Sequence, residues 1–226
     1  RHANQRYIVI NPGSHVIETA IFEKSATSPA PVNIQKTVAR FHQTSRDGYT
    51  FEGLHELLAF LLKGRAPQKV VIGIGSNIAE TSLQEWKLDS LHLRESLTAA
   101  RIQQYFQQLF NEHHDGNHAL LAYPLSLDIN GYPADIHSLA THDASTIKEI
   151  TLRTVMLRFS DEAGFAFGNL RKAFGGISIE FVPLQAATAE ALATACNIHD
   201  GLLIDVGQSS TEMIFIHDNI LRHIVS

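Results

Sequence analysis

Two short stretches of this sequence combine residue types that suit a phosphate group. In Asn11-Pro12-Gly13-Ser14 the glycine lets the backbone come close to a ligand, and the serine hydroxyl and backbone N–H groups can cradle anionic oxygens. In Asp205-Val206-Gly207-Gln208-Ser209-Ser210-Thr211 the same logic recurs, with a carboxylate that can order a hydrated Mg²⁺ through its water shell. Asn11, Gly13, Ser14, Asp205, Gly207, Gln208, Ser209, Ser210 and Thr211 are therefore the candidate cofactor-binding residues, and Asp205 the candidate metal residue. Either turn alone is also what a plain hairpin contains. The pair carries more, because two similar turns far apart in sequence are expected where two halves face one ligand.

Other reactive side chains give less. Thirteen histidines are present, with His113, His114, Asp115 and His118 grouped near one expected helix end, but their spacing matches no zinc pattern and there is no His-Glu-x-x-His. They read as a solvated loop where the helix dipole favours histidine. Glu112 and Asp115 have no argued acid–base partner, and spacing names no Ser-His-Asp set. Cys196, the single cysteine, reads as a small buried residue of an Ala-rich helix; it cannot form an internal disulfide and fits a reducing cytoplasm.

The elements that must position the two turns follow from periodicity. Tyr7-Ile8-Val9-Ile10 is an apolar run closed by the first turn, and residues 16–22 form a second strand of the same hairpin. Leu54, Leu57, Leu58, Leu61 and Leu62 recur at helical spacing over 51–63, with Thr50 as cap and Gly64 and Pro67 as terminators. A buried strand is expected over 69–75. A helix follows that buries Ile102, Phe106, Leu109 and Phe110 and is capped by Thr98, and further strands cover 119–123, 125–129 and 150–159, with Asn130-Gly131 as a hairpin turn. Ser160 caps a helix whose first turn carries Asp161 and Glu162, ended by Gly175-Gly176. A strand over 177–182, a helix opened by Pro183 and running to about Asn197, and strands over 202–206 and 212–216 complete the reading. The last residues, up to Ser226, also read as a strand.

With 226 residues, 44 % hydrophobic and 18 % charged, the chain is long enough to bury a sizeable core and carries no low-complexity tract. Its net charge of −5, with no block of Lys and Arg, lacks the electrostatic footprint of a nucleic-acid binder. No apolar run has the length of a membrane span, and no signal-peptide core precedes the first strand.

The two hairpins resemble the first and second phosphate motifs of the actin, sugar kinase and chaperone ATPase superfamily. Within it, residues 67–216 are similar to FtsA, the actin-like bacterial cell-division protein. The matching residues are Val70-Val71-Ile72-Gly73-Ile74-Gly75-Ser76-Asn77-Ile78, Tyr123-Pro124 through Asp128-Ile129-Asn130-Gly131, and Ala189-Glu190-Ala191-Leu192 leading to Asp205. The resemblance implies an α/β fold: an actin-like, ribonuclease H-like ATPase lobe (1–66 and 154–198) with an inserted strand-helix-strand-strand subdomain (67–153), and only the first hairpin of a truncated second lobe (199–226). It implies ATP and Mg as cofactors of the full-length protein, at most weak ATPase activity, and self-assembly through protofilament contacts of the insert. Partners would be FtsZ and other division proteins. The place would be the cytoplasmic face of the cell membrane, reached through a tail absent from this chain. Asn11 stands where the superfamily usually has a carboxylate, and Gln208 where the second turn usually has glycine, so slow or absent turnover is expected. PilM, the related type IV pilus assembly protein, is the neighbouring possibility. The opening Val9-Ile10-Asn11-Pro12-Gly13-Ser14 also resembles the acetate and butyrate kinases, whose reading is small-molecule phosphoryl transfer.

Overall fold

The computed structural model describes residues 5–13, 16–24, 31–40, 51–63, 67–89, 104, 105, 108, 120–134, 147–206, 211–218 and 220–225. Three sheets organise these residues. The first has the order β3-β2-β1-β4-β9, built from β1 (Gln5–Pro12), β2 (Val16–Lys24), β3 (Pro31–Arg40), β4 (Lys69–Ile74) and β9 (Ser178–Pro183). Strands β1 to β3 form an antiparallel meander, whereas β4 and β9 run parallel to β1. Helix α1 (Phe51–Leu61) lays Leu54, Leu57, Leu58 and Leu61 into the same buried cluster as Ile8 and Ile10 of β1 and Val70 and Ile72 of β4. Ile8, Ile10, Val70 and Ile72 are fully buried, whereas Tyr7, Val9 and Val71 between them are half-buried.

The second sheet, β5-β8-β6-β7, is antiparallel and comprises β5 (Ala79–Asp89), β6 (Leu120–Ile129), β7 (Tyr132–Ala134) and β8 (Glu149–Phe159). It has a small core of its own, Leu88, Leu127, Ile129, Ile147, Ile150 and Leu152, against which the helical residue Tyr105 packs. Arg153 on the central strand donates from Nη1 to Asp128 Oδ2 at 2.7 Å and from Nε to Glu85 Oε2 at 3.0 Å, so one guanidinium ties three strands. Partial burial pushes the Glu85 carboxyl up; the hydrogen bond from Lys87 and the charge of Arg153 outweigh it and leave the group below its ordinary value. The Asn130-Gly131 turn has φ +53° and +82°, the left-handed pair that a two-residue hairpin demands.

The sheets do not follow the bounds expected for an inserted unit, 67–153. β4 belongs to the first sheet, between β1 and β9, and the second sheet begins at Ala79 and ends at Phe159. The physical reason is the composition of Val70-Val71-Ile72-Gly73-Ile74: with five apolar or small residues in a row it has no polar face to give to a half-exposed insert strand. The expected helix face of Ile102, Phe106, Leu109 and Phe110, its cap Thr98, and the group His113, His114, Asp115 and His118 with Glu112 lie outside the described residues.

Helix α2 (Asp161–Ala173) starts at Ser160, whose Oγ accepts from the Ala163 N–H at 3.2 Å, and buries Phe167 between the Phe159 and Phe181 rings. Helix α3 (Leu184–Ala195) follows β9 without a loop. It ends with Asn197 at φ +55° and the Ile198 N–H turning back to the Leu192 carbonyl. Cys196, expected inside, is exposed, because only the first two turns of α3 face the core, through Gln185, Ala186 and Ala189.

The third sheet, β10 (Gly201–Val206), β11 (Thr211–His217) and β12 (Ile220–Val225), is another antiparallel meander and packs Ile214, Ile216 and Leu221 into the main core. It repeats the β1–β3 arrangement with one difference. Ile8 and Ile10 are fully buried, while Leu202, Ile204 and Val206, the matching positions of β10, are 49 %, 54 % and 75 % exposed. No helix covers that face among the described residues, and none of their helices is long and apolar enough to cross a membrane.

Candidate functional site

Because β1, β4 and β9 are parallel, their C-terminal ends share one edge of the first sheet, the edge at which open α/β sheets hold ligands. Three segments meet there. Asn11-Pro12-Gly13 closes β1, with Asn11 half-buried and paired with Glu18 of β2. Gly75-Ser76-Asn77 turns away from β4. The first turn of α3 opens directly above, at Leu184 and Gln185.

Side chains pack closely on Gly73 and Gly75 at this edge. A Cβ at Gly73 would overlap Leu184 Cδ2, and one at Gly75 would lie 2.7 Å from Asn77 Oδ1 and 3.3 Å from Leu184 Cδ1. Side chains join the segments. Asn77 Nδ2 donates to the Pro12 carbonyl at 3.3 Å, linking the β4 turn to the first candidate turn. The Ser76 backbone N–H donates to Glu212 Oε1 at 3.0 Å, and Gln185 Nε2 donates to Glu212 Oε2 at 2.9 Å. Glu212 is the second residue of β11, next to Thr211 and in register with Asp205. A continuous set of contacts therefore runs from the first hairpin, through the turn after β4, to the second hairpin.

Of the candidate residues, Asn11 and Gly13 lie on the shared edge, and Asp205 and Thr211 stand at the end of the β10–β11 ladder where residues 207–210 connect the strands, both exposed. Ser14, Gly207, Gln208, Ser209 and Ser210 lie outside the described residues. Asp205 shares a sheet face with Glu212 across the ladder, and no cation pairs with it among the described residues. A carboxylate offers only acceptor oxygens, which suits a hard cation, so the exposed Asp205 fits a hydrated Mg²⁺.

Glu212, Gln185, Ser76 and Asn77 were not among the residues that the turns single out. The signal for Glu212 was available: Glu212, Ile214 and Ile216 alternate, and two isoleucines inward place the glutamate inward as well.

Two further features lie away from this edge. Asp200, His217 and Asp218 cluster at the opposite end of the third sheet, where His217 Nδ1 pairs with Asp200 at 2.6 Å and Nε2 approaches Asp218 at 3.5 Å. Both ring nitrogens are thus engaged by carboxylates. The Asp218 backbone N–H and the His217 ring hold the Asp200 carboxyl below its ordinary value. Second, a cavity of about 360 Å³ opens between β6, α3 and β12; its walls include Tyr123, Leu125, Ala189, Glu190, Ala193 and Leu221. Burial, with Glu190 and Glu180 nearby, pushes the Tyr123 hydroxyl up.

No family model and no curated protein matches this sequence. Solved structures do. The PilM–PilN type IV pilus biogenesis complex superposes with a TM-score of 0.58 at 13 % identity, covering 100 % of this chain and 61 % of that one. The chain has the actin-like ATPase fold. A Bacteroides thetaiotaomicron protein of actin-like ATPase fold and unknown function (TM-score 0.46, 10 % identity, 97 % and 68 % coverage) and an exopolyphosphatase from Cytophaga hutchinsonii (0.44, 11 %, 98 % and 49 %) are looser matches. The chain spans under two thirds of the length of the PilM–PilN chain it matches.

Proposed function

We propose that this chain is part of an actin-like ATP-binding scaffold protein, in which nucleotide sets conformation and assembly and is not consumed rapidly. The observation that carries this reading is the convergence of the two hairpins on the turn after β4, through the Pro12–Asn77 and Ser76–Glu212 hydrogen bonds. A ligand lying at that edge has Asn11 and Gly13 of the first hairpin on one side and Thr211 of the second on the other, and Asp205 supplies the carboxylate for hydrated Mg²⁺. When bound, the metal offsets phosphate charge. The chain's own residues bind and orient. Asn11 holds water or metal through an uncharged carbonyl and cannot accept a proton as a carboxylate would, which favours retention of ATP over hydrolysis.

Among scaffolds of this fold, the resemblance to FtsA supports a division role, with self-assembly, FtsZ and membrane attachment as its expected contacts. The similarity to the PilM–PilN complex supports a second reading, a scaffold that docks a protein partner. The 360 Å³ cavity between β6, α3 and β12 gives that reading a place: a largely aliphatic floor with Glu190 at its side suits an aliphatic segment carrying a basic residue.

Titration calorimetry with ATP and Mg²⁺, run beside a phosphate-release assay, tests the proposal. The expected result is micromolar binding of ATP with phosphate release close to the protein-free background. Rapid release would make the protein an enzyme, and the absence of any binding heat for ATP or ADP would remove nucleotide from its function.

A further inference from the structure

Glu212 stands at an unusual place for a carboxylate. It is 7 % exposed, it lies on the inward face of β11 with Ile214 and Ile216, and no Lys, Arg or His pairs with it among the described residues. Burying an ionised group without a countercharge is costly unless hydrogen bonds replace its water. Two do so, from the Ser76 N–H and from Gln185 Nε2, and Gln185 is itself fully buried with no partner for its Oε1 among the described residues.

The surfaces around it explain what so expensive an arrangement achieves. The third sheet meets α3 through Ile214, Ile216 and Leu221 on one side and Ala186 and Ala189 on the other. At these two positions the helix offers only methyl groups to the isoleucines. Apolar contact holds the sheet on the helix but specifies its position along the helix poorly, which is the geometry of shear between packed elements. The two hydrogen bonds of Glu212 are directional and specify that position. Ser76 adjoins Asn77, which holds Pro12, so the position of β11 is referred within two residues to the first turn.

We propose that Glu212, seated on Ser76 and Gln185, is the positioning residue that registers the second phosphate-facing hairpin against the first. It contacts no ligand itself. Its role as a ligand-relevant device rests on the nucleotide reading above; its role as a registering contact does not.

Three variants and two readouts test this. Glu212→Ala removes both acceptors. Glu212→Asp keeps the charge but is one methylene too short to reach both donors. Glu212→Gln accepts from Ser76 and can donate to the idle Gln185 Oε1 once that amide turns. The first readout is hydrogen exchange of the Ser76 amide, with Ile72 in the interior of β4 as control. Exchange at Ser76 is expected to quicken about tenfold in the Ala and Asp variants, to stay within about threefold of wild type in Gln, and to be unchanged at Ile72. The second is calorimetric affinity for ATP with Mg²⁺, expected to weaken about tenfold in Ala and Asp and to be restored in Gln.

Wild-type exchange at Ser76 in the Asp variant overturns the proposal, and so does an ATP affinity that ignores all three changes while wild type binds. Should Ala fail to fold, Asp and Gln decide the matter alone. A wild-type protein that binds no ATP removes the nucleotide reading only, and exchange at Ser76 then decides by itself whether Glu212 registers the two hairpins.

Discussion

Replacing Leu58 with Ala is expected to lower the unfolding free energy by about 2–5 kcal/mol, the range for emptying a well-packed leucine site. Leu58 is fully buried in the middle of α1, in one cluster with Ile8 and Ile10 of β1 and Ile72 of β4. The first candidate turn follows directly from Ile10, so the same packing that stabilises the lobe also holds Asn11 and Gly13 in place. The cavity left by the missing isobutyl group is bounded by sheet on one side and by neighbouring leucines of the helix on the other, neither of which can close over it without moving backbone. Chemical denaturation followed by tryptophan fluorescence and far-UV circular dichroism measures the loss. Phe60, two residues on and 65 % exposed, is the control: Phe60→Ala is expected to change stability by no more than about 0.5 kcal/mol. Equal effects of the two substitutions would show that α1 does not pack on β1 and β4 through its leucine face.

The second large effect is expected at Gly73, where a side chain would have to displace Leu184. Its Cβ would overlap Leu184 Cδ2 and approach Leu184 Cγ at 3.1 Å, with the Ile10 carbonyl 3.6 Å away. Gly73→Val is expected to cost about 1–3 kcal/mol, as overpacking of a filled interior does. The cost is less telling than where it is felt. Leu184 is the first residue of α3, and Gln185, the donor to Glu212, is the second. Pushing Leu184 outward therefore loosens the seat of the second hairpin, so amide exchange in β11 is expected to rise together with the loss of stability. Gly168, in the interior of α2 with nothing within 4 Å of an added Cβ, gives the opposite sign. Gly168→Ala is expected to stabilise by about 0.5–1 kcal/mol, and thermal unfolding of the two variants side by side separates crowding from a general intolerance of change.

Much of this architecture is legible in the amino-acid sequence, and the exceptions have physical causes. The leucine spacing of α1, the Ser160 cap of α2 and the left-handed Asn130-Gly131 turn depend on local chemistry, and each lies where that chemistry put it. Strand β5 was not legible, because it turns opposite faces to two different cores. Ala79 and Leu83 pack on the main cluster while Trp86 and Leu88 pack on the core of the second sheet. The inward set thus changes phase along the strand and the alternation that marks a half-buried strand is lost. Strand β4 was legible as a strand but not as a member of the first sheet, since the parallel partners β1 and β9 are about 60 and 110 residues away from it in sequence.

At the site, the residues that join the two hairpins were not legible. Ser76 and Asn77 act through a backbone N–H and a side-chain amide whose partners lie 136 and 65 positions away. Glu212 follows a polar turn, where an acidic residue ordinarily faces water, and only its alternation with Ile214 and Ile216 turns it inward. Local composition predicts which groups can bind phosphate. Which groups hold the binding turns together depends on topology.

Hydrogen exchange across the whole chain, with and without ATP and Mg²⁺, is the most direct test of whether these distant turns serve one ligand. Protection is expected to rise in concert at the β1 turn around Gly13 and at the start of β11 around Thr211, at the same nucleotide concentration, with the ladder at Asp200 and His217 unaffected. Protection gained at one turn while the other stays at its unliganded rate would contradict the shared site.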